Sequence, residues 1–266
     1  MYLEYWGLSE KPFENTPDPR FMYNSPQHEE ALARMLYVVR EEKGAGMLTG
    51  VFGCGKTMLS RSLFDELEQS IYRLALLSHP RLDAFGLLKI IAYRLGAQEL
   101  GEDKAETLII IEKILENNFN DGKKTVIVID EAHAIEDNNA FEEIRLLLNF
   151  QHNDKFLLTL LLLGQPELKE KVESNKQLLQ RIAMRYHLKA LSLEDTLGYI
   201  EHRLRVAGGK KISFVPAAGK LIYDASGGIP RRINQLCDFC LLTGFSRKLS
   251  EVDEAVVKDA TESLVG

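Results

Sequence analysis

The chain's 266 residues are 45% hydrophobic and 27% charged, with a formal net charge of −6, the balance of a globular protein long enough for two domains. No apolar run approaches the roughly 18 residues of a membrane span, and the start, Met1-Tyr2-Leu3-Glu4-Tyr5-Trp6, lacks the basic and apolar regions of a signal peptide. The acidic total argues against a surface built as a whole for nucleic acid, and three cysteines, which cannot all pair, point to a reducing cytoplasm.

Residues 1–28 form an aromatic and proline-rich lead, with Tyr5-Trp6-Gly7-Leu8, Pro12-Phe13 and Pro17-Asp18-Pro19. Prolines at this density disfavour a helix. The aromatics imply a segment packed on the main domain. A helix is expected over 27–42, with Leu32, Met35, Leu36 and Val39 on one face. A short buried strand, Met47-Leu48-Thr49, then runs into Gly50-Val51-Phe52-Gly53-Cys54-Gly55-Lys56-Thr57. This fits Gly-x-x-x-x-Gly-Lys-[Ser/Thr], the phosphate loop of nucleoside triphosphatases. From Met58, apolar residues Leu59, Leu63, Phe64 and Leu67 recur at helical spacing. Strand, glycine loop and helix N-terminus together make an anion cradle, because backbone N–H groups and the positive end of the helix dipole converge on the phosphates. The candidate nucleotide-binding residues are Gly50, Gly53, Cys54, Gly55, Lys56, Thr57 and Met58. Lys56 would reach the β- and γ-phosphates, and the Thr57 hydroxyl would ligate Mg²⁺.

A strand is expected over 71–77, helices over 84–95 and 103–118, and a turn at Asn120-Asp121-Gly122. Thr125 to Glu131 reads as a fully buried parallel strand ending in two carboxylates. Asp130 has the placement of a Mg²⁺-side acid. Glu131, pointing the other way along the strand, could orient or deprotonate the attacking water. The letters Asp130-Glu131-Ala132-His133 also spell a helicase motif, but one small α/β core followed by helices leaves no room for a second motor domain. A helix over 138–150, a buried strand over 157–163 ending at Gly164-Gln165-Pro166, a helix over about 172–183 and a short strand at 186–188 complete this half. Strands alternating with helices imply a doubly wound, five-stranded parallel sheet, with ligands at the strands' carboxyl ends where Gly50, Asp130 and Gln165 fall.

Beyond Ser192 only helical patterns remain, over 193–206, 216–225, from Pro230 to about Phe245, and after Ser250. The division is therefore an α/β domain over 1–190, including the lead, and a small all-helical domain over 191–266. Cys237-Asp238-Phe239-Cys240 has redox-like spacing, but the surrounding helical apolar residues favour core packing. Gln165 could contact the γ-phosphate or the attacking water. Arg181 or Arg185 could reach a neighbouring subunit's γ-phosphate. Arg231 and Arg232 sit at a helix N-terminus, where a cation opposes the dipole and a bound anion would explain it.

In this order, the phosphate loop, Asp-Glu pair, polar residue, arginine and helical lid with Gly228-Ile229-Pro230-Arg231 resemble the AAA+ ATPases over nearly the whole chain. The resemblance implies Walker A at Gly50 to Thr57, Walker B at Asp130 and Glu131, sensor 1 at Gln165, an arginine finger at Arg181 (or Arg185) and sensor 2 at Arg231. A narrower resemblance rests on the aromatic lead, Gly164-Gln165-Pro166-Glu167-Leu168, Gln180-Arg181-Ile182 and Gly228 to Asn234. These are similar to the ExeA/GspA family of bacterial secretion ATPases, related to the MuB and TniB transposition regulators. That resemblance implies ATP and Mg²⁺ as cofactors, a homo-oligomer with active sites at subunit interfaces, and assembly or remodelling of a secretion or pilus complex. Secretion members often continue into a transmembrane helix and a periplasmic peptidoglycan-binding domain, and the sequence departs from that pattern by showing no membrane span of its own; the expectation is therefore either a cytoplasmic protein recruited to the inner membrane by a partner or a fragment of a longer protein. Two alternatives stand beside it: a DNA-binding regulator of the transposition type, and a slow nucleotide-gated switch. The acidic balance favours the secretion reading, because phosphate contacts need a dense cationic face, and Lys210-Lys211 with Arg231-Arg232 are few.

Overall fold

The computed structural model describes residues 2–209 and 214–265; Lys210 and Lys211 lie outside them. The described chain divides into two compact units. One comprises His28–Phe52 and Leu59–Leu188, the other Met1–Gln27, Gly53–Met58 and Lys189–Gly266.

The first unit is built on five parallel strands, β1 (Ala45–Gly50), β2 (Tyr72–Leu77), β3 (Lys124–Ile129), β6 (Leu158–Gly164) and β7 (Ile182–Leu188), in the order β2-β3-β6-β1-β7. Strands β3, β6 and β1 take the inner positions and are buried along almost their whole length, as a sheet covered on both faces requires. Alternate side chains serve opposite faces. Ile127, Ile129, Leu160 and Leu162 join the cluster formed with α4 (Ala84–Arg94), α5 (Lys104–Asn120) and α6 (Asn138–Leu147). Leu161 and Leu163 face the other way, with Leu48, towards Leu32 and Met35 of α2 (Pro26–Arg40) and Leu59 and Leu63 of α3 (Lys56–Asp65). Asp83 and Asp103 start α4 and α5 by accepting hydrogen bonds from the N–H groups of Gly86 and Glu106, satisfying donors that a helix start leaves open.

Three local expectations change here. The helix over 172–183 is two helices, α7 (Glu167–Ser174) and α8 (Lys176–Arg181), because Asn175 breaks the first and caps the second through Leu178 N–H. The strand at 186–188 runs from Ile182, its edge position letting exposed and buried residues alternate. A small antiparallel hairpin of β4 (Gln151–His152) and β5 (Lys155–Phe156) precedes β6, and Asn153 takes the left-handed conformation that its turn needs.

The second unit is helical: α1 (Tyr2–Trp6), α9 (Leu193–Val206), α10 (Pro216–Ser226), α11 (Pro230–Ser246) and α12 (Glu254–Val265). Its core corrects the expectation that the lead packs on the α/β domain. Trp6, Phe13 and Phe21 are buried in the helical cluster with Tyr199, Ile222 and Leu241. The Trp6 indole N–H donates to Leu241 O at 2.8 Å, and the Tyr2 hydroxyl donates to Asp238. Arg203, 4% exposed, donates to the carbonyls of Pro12 and Glu14 and to the Tyr199 hydroxyl, its guanidinium lying over Phe21. The physical reason is size: so small a helical unit cannot close a core from its own apolar surface, and the aromatic lead supplies what is missing. The lead also departs from its expected irregularity. Its first residues, ahead of the prolines, form α1, and Pro19–Phe21 form a 3₁₀ turn.

Candidate nucleotide site

β1 ends at Gly50 and α3 begins at Lys56, so the glycine loop occupies the connection between a buried strand and a helix N-terminus. Gly53 and Gly55 have φ of +83° and +106°, conformations that cost glycine little and side-chain-bearing residues much. A Cβ on Gly53 would also lie 2.7 Å from Arg231 Cβ and 3.3 Å from Ile229 Cγ2. The Gly53 carbonyl accepts the Arg231 N–H at 3.3 Å. The loop segment from Gly53 to Met58 and the start of α11 are thus joined backbone to backbone in the helical unit. Pro230 opens α11 and lacks an N–H that could go unsatisfied there. Lys56 is 4% exposed and Cys54 fully buried. Such a loop fits a polyphosphate.

Asp130 follows β3 and is 3% exposed; its Oδ1 accepts the N–H of Glu131 at 2.9 Å. Glu131 is not the next residue of the strand. β3 stops at Ile129, and Glu131 has φ +54° at the entrance to a 3₁₀ turn, Ala132–Ala134. A left-handed non-glycine residue stores of the order of 1 kcal/mol or more, so the turn rather than strand pleating aims this carboxylate. For Mg²⁺, which takes oxygen ligands and keeps several waters, the chain offers the Thr57 hydroxyl and the Asp130 carboxylate; these donors fit.

Gln165 follows β6, the strand beside β3. Its backbone N–H donates to His133 Nδ1 at 3.2 Å, and its side-chain amide lies 2.9 Å from His133 Nε2. His133 Nε2 is in turn 3.5 Å from Glu131 Oε2. Sequence reading gave His133 only a letter in a motif. Its signal was available: a histidine two residues after the second carboxylate, beside a strand that ends in a polar residue.

Arg181 closes α8. It reaches Asn149 Oδ1 at 3.1 Å and Leu148 O at 3.5 Å, while Arg185 on β7 is 4.0 Å from Glu173. Cys237 and Cys240 are both fully buried in the helical core, where burial pushes the Cys240 thiol up to about 12 and Cys237 well up also. Among the described residues no three His, Cys, Asp or Glu side chains gather as a metal site.

A family model described as "AAA domain" matches residues 39–172, just over half of the chain. General secretion pathway protein A of Aeromonas hydrophila is 38% identical over 253 residues, 93% of this chain. The chain spans 45% of the length of that relative. Among solved structures, the Aeropyrum pernix ORC2 protein in ADPNP–ADP complexes superposes with a TM-score of 0.71 at 17% identity, covering 96% of this chain and 71% of that one. The Thermotoga maritima RuvB branch-migration motor superposes with a TM-score of 0.62 at 19% identity, over 91% of this chain and 70% of that one. At such identities the structural likeness speaks for the fold alone. The β2-β3-β6-β1-β7 sheet, the glycine loop before α3 and the matched sequence lead to one conclusion: the chain belongs to the AAA+ P-loop family, in the group that includes general secretion pathway protein A.

Proposed function

We propose that the chain is a Mg²⁺-dependent ATPase that assembles into a homo-oligomer with nucleotide and uses hydrolysis to assemble or remodel a secretion or pilus complex. The observation that carries the catalytic part is the loop itself: left-handed glycines at 53 and 55, then Lys56 and Thr57 at a helix start. The likeness to a secretion protein over 93% of the chain supports the choice of partner.

In this reading Gly50 to Met58 cradle the phosphates, and Lys56 neutralises the β- and γ-phosphate charge. Thr57 and Asp130 hold the metal. Bound Mg²⁺ supplies charge neutralisation at the transferred phosphoryl group. Glu131 orients or deprotonates the attacking water, and Gln165 contacts the γ-phosphate or that water. Arg181, or Arg185, acts in trans on a neighbouring subunit, and Arg231 couples the helical domain to the nucleotide. No helix among the described residues is long and apolar enough to cross a membrane.

The test is Glu131→Gln, followed by phosphate release and by particle mass. The variant should bind ATP, hydrolyse it at least tenfold more slowly and accumulate as the oligomer. Unchanged turnover would remove Glu131 from its role. Binding of the same variant to duplex DNA at about 0.15 M salt, where weak ionic contacts are screened, should be absent with and without ATP. ATP-dependent DNA binding would replace the secretion reading with the transposition-regulator one.

A further inference from the structure

The three groups around the 3₁₀ turn after β3 have a hydrogen-bond order that follows from donor and acceptor chemistry. The Gln165 N–H points at His133 Nδ1, 3.2 Å away. A backbone N–H can only donate, so Nδ1 is an acceptor and the neutral ring carries its proton on Nε2. That Nε2–H needs an acceptor. Its neighbours are the Gln165 side-chain amide at 2.9 Å and Glu131 Oε2 at 3.5 Å. Two N–H donors cannot face each other, so the amide presents its oxygen to the ring. The one imidazole proton then has the Gln165 amide oxygen as its hydrogen-bond acceptor, with the Glu131 carboxylate at ion-pair distance.

The backbone around the ring is held independently. Lys171 of α7 donates to the carbonyls of His133 and Ile135, both at 2.6 Å. A side chain on Gly164, the last residue of β6, would crowd the His133 N–H at 3.2 Å and Leu168 at 2.9 Å. The ring itself is 17% exposed, against 34% for the Glu131 side chain. It is a fixed post, and Glu131 is the more open group beside it. Glu131 itself has a left-handed backbone and makes no side-chain capping bond.

We propose that His133 is a positioning residue, which through its Nε2–H ties the orientation of the Glu131 carboxylate to Gln165 at the end of the neighbouring strand. This rests on the proposed role of Glu131 in hydrolysis. A shift of Gln165 on contact with nucleotide moves the imidazole, and the imidazole moves the carboxylate.

The experiment has two readouts. In nucleotide-free protein, ¹⁵N imidazole spectra, with His133 assigned by its loss in His133→Ala, should show the Nε2–H form and should shift in both Glu131→Gln and Gln165→Ala. Turnover is then compared with ATP affinity. His133→Ala should lower kcat about tenfold or more while ATP affinity stays within about twofold. His133→Gln, whose amide can return a donor near the Nε2 position, should recover much of the rate, and His133→Asn, which keeps only an acceptor near Nδ1, should not. If His133→Ala does not fold, as judged by thermal melting, Gln165→Ala breaks the same link from the other side. A parent-like kcat in His133→Ala, or an Nδ1–H ring indifferent to both neighbours, overturns the proposal. A parent chain without turnover overturns instead the ATPase reading, and the spectra alone then decide the link.

Discussion

At Gly53 two constraints act on one position. Its φ of +83° excludes most side chains, and a Cβ there would collide with Arg231. Gly53→Ala should therefore weaken ATP binding by more than tenfold, read by titration with a fluorescent analogue, while Lys56→Ala should do the same through lost charge alone. Cys54 lies in the phosphate loop, so a thiol reagent that reached it would block nucleotide binding, but its complete burial limits that access in the native chain. With Cys237 and Cys240 also buried and held as thiols, none of the three should react within minutes in the native chain, and all three should after denaturation. Slower labelling of Cys54 with ATP would follow from closure of the loop, and equal rates would count against it.

The helical elements show how a short unit is held together. Arg203 carries its charge into the core and satisfies two lead carbonyls there. Arg203→Met should cost about 3 kcal/mol, because the carbonyls lose their donor, measured by urea unfolding with the single Trp6 as the reporter. The residue before Arg203 on α9, His202, is kept below the ordinary histidine range, first by burial and then by the charge of Arg205. A depressed histidine favours the neutral form when folded, so the unfolded chain binds the proton more readily. Stability should be full above the unfolded value of about 6.5 and fall as pH drops through it towards the lower folded value. His202→Gln should flatten that part of the profile. At the start of α9, Ser192 accepts the Asp195 N–H, and Ser192→Ala should cost about 1 kcal/mol.

For the molecule as a whole, the proposal of sites shared between subunits has a kinetic consequence. Phosphate release per chain should rise with protein concentration, and strict proportionality of the total rate would argue for a self-sufficient monomer. Arg181→Ala tests the trans arginine: it should lower the rate at every concentration, and mixing it with Lys56→Ala chains should restore some activity, since each supplies what the other lacks. Arg185→Ala should then be close to neutral, and the reverse result would exchange their roles.

The sequence by itself determined the order and kind of nearly every element, because buried strands such as Thr125–Ile129 and Leu158–Leu163 are apolar on both faces and the glycine loop admits few alternatives. It also determined the family, since the motifs lie within contiguous segments. Features made by residues distant in sequence were decided only by the tertiary structure. The lead's burial with α9 and α11, up to 236 residues away, cannot be read from local pattern. The left-handed turn at Glu131 breaks the pleat that an apolar strand appeared to continue through its carboxylates. The approach of His133 to Gln165 and Glu131 depends on the register of β3 against β6, Ile129 opposite Leu162, which is a property of the sheet and not of either segment alone.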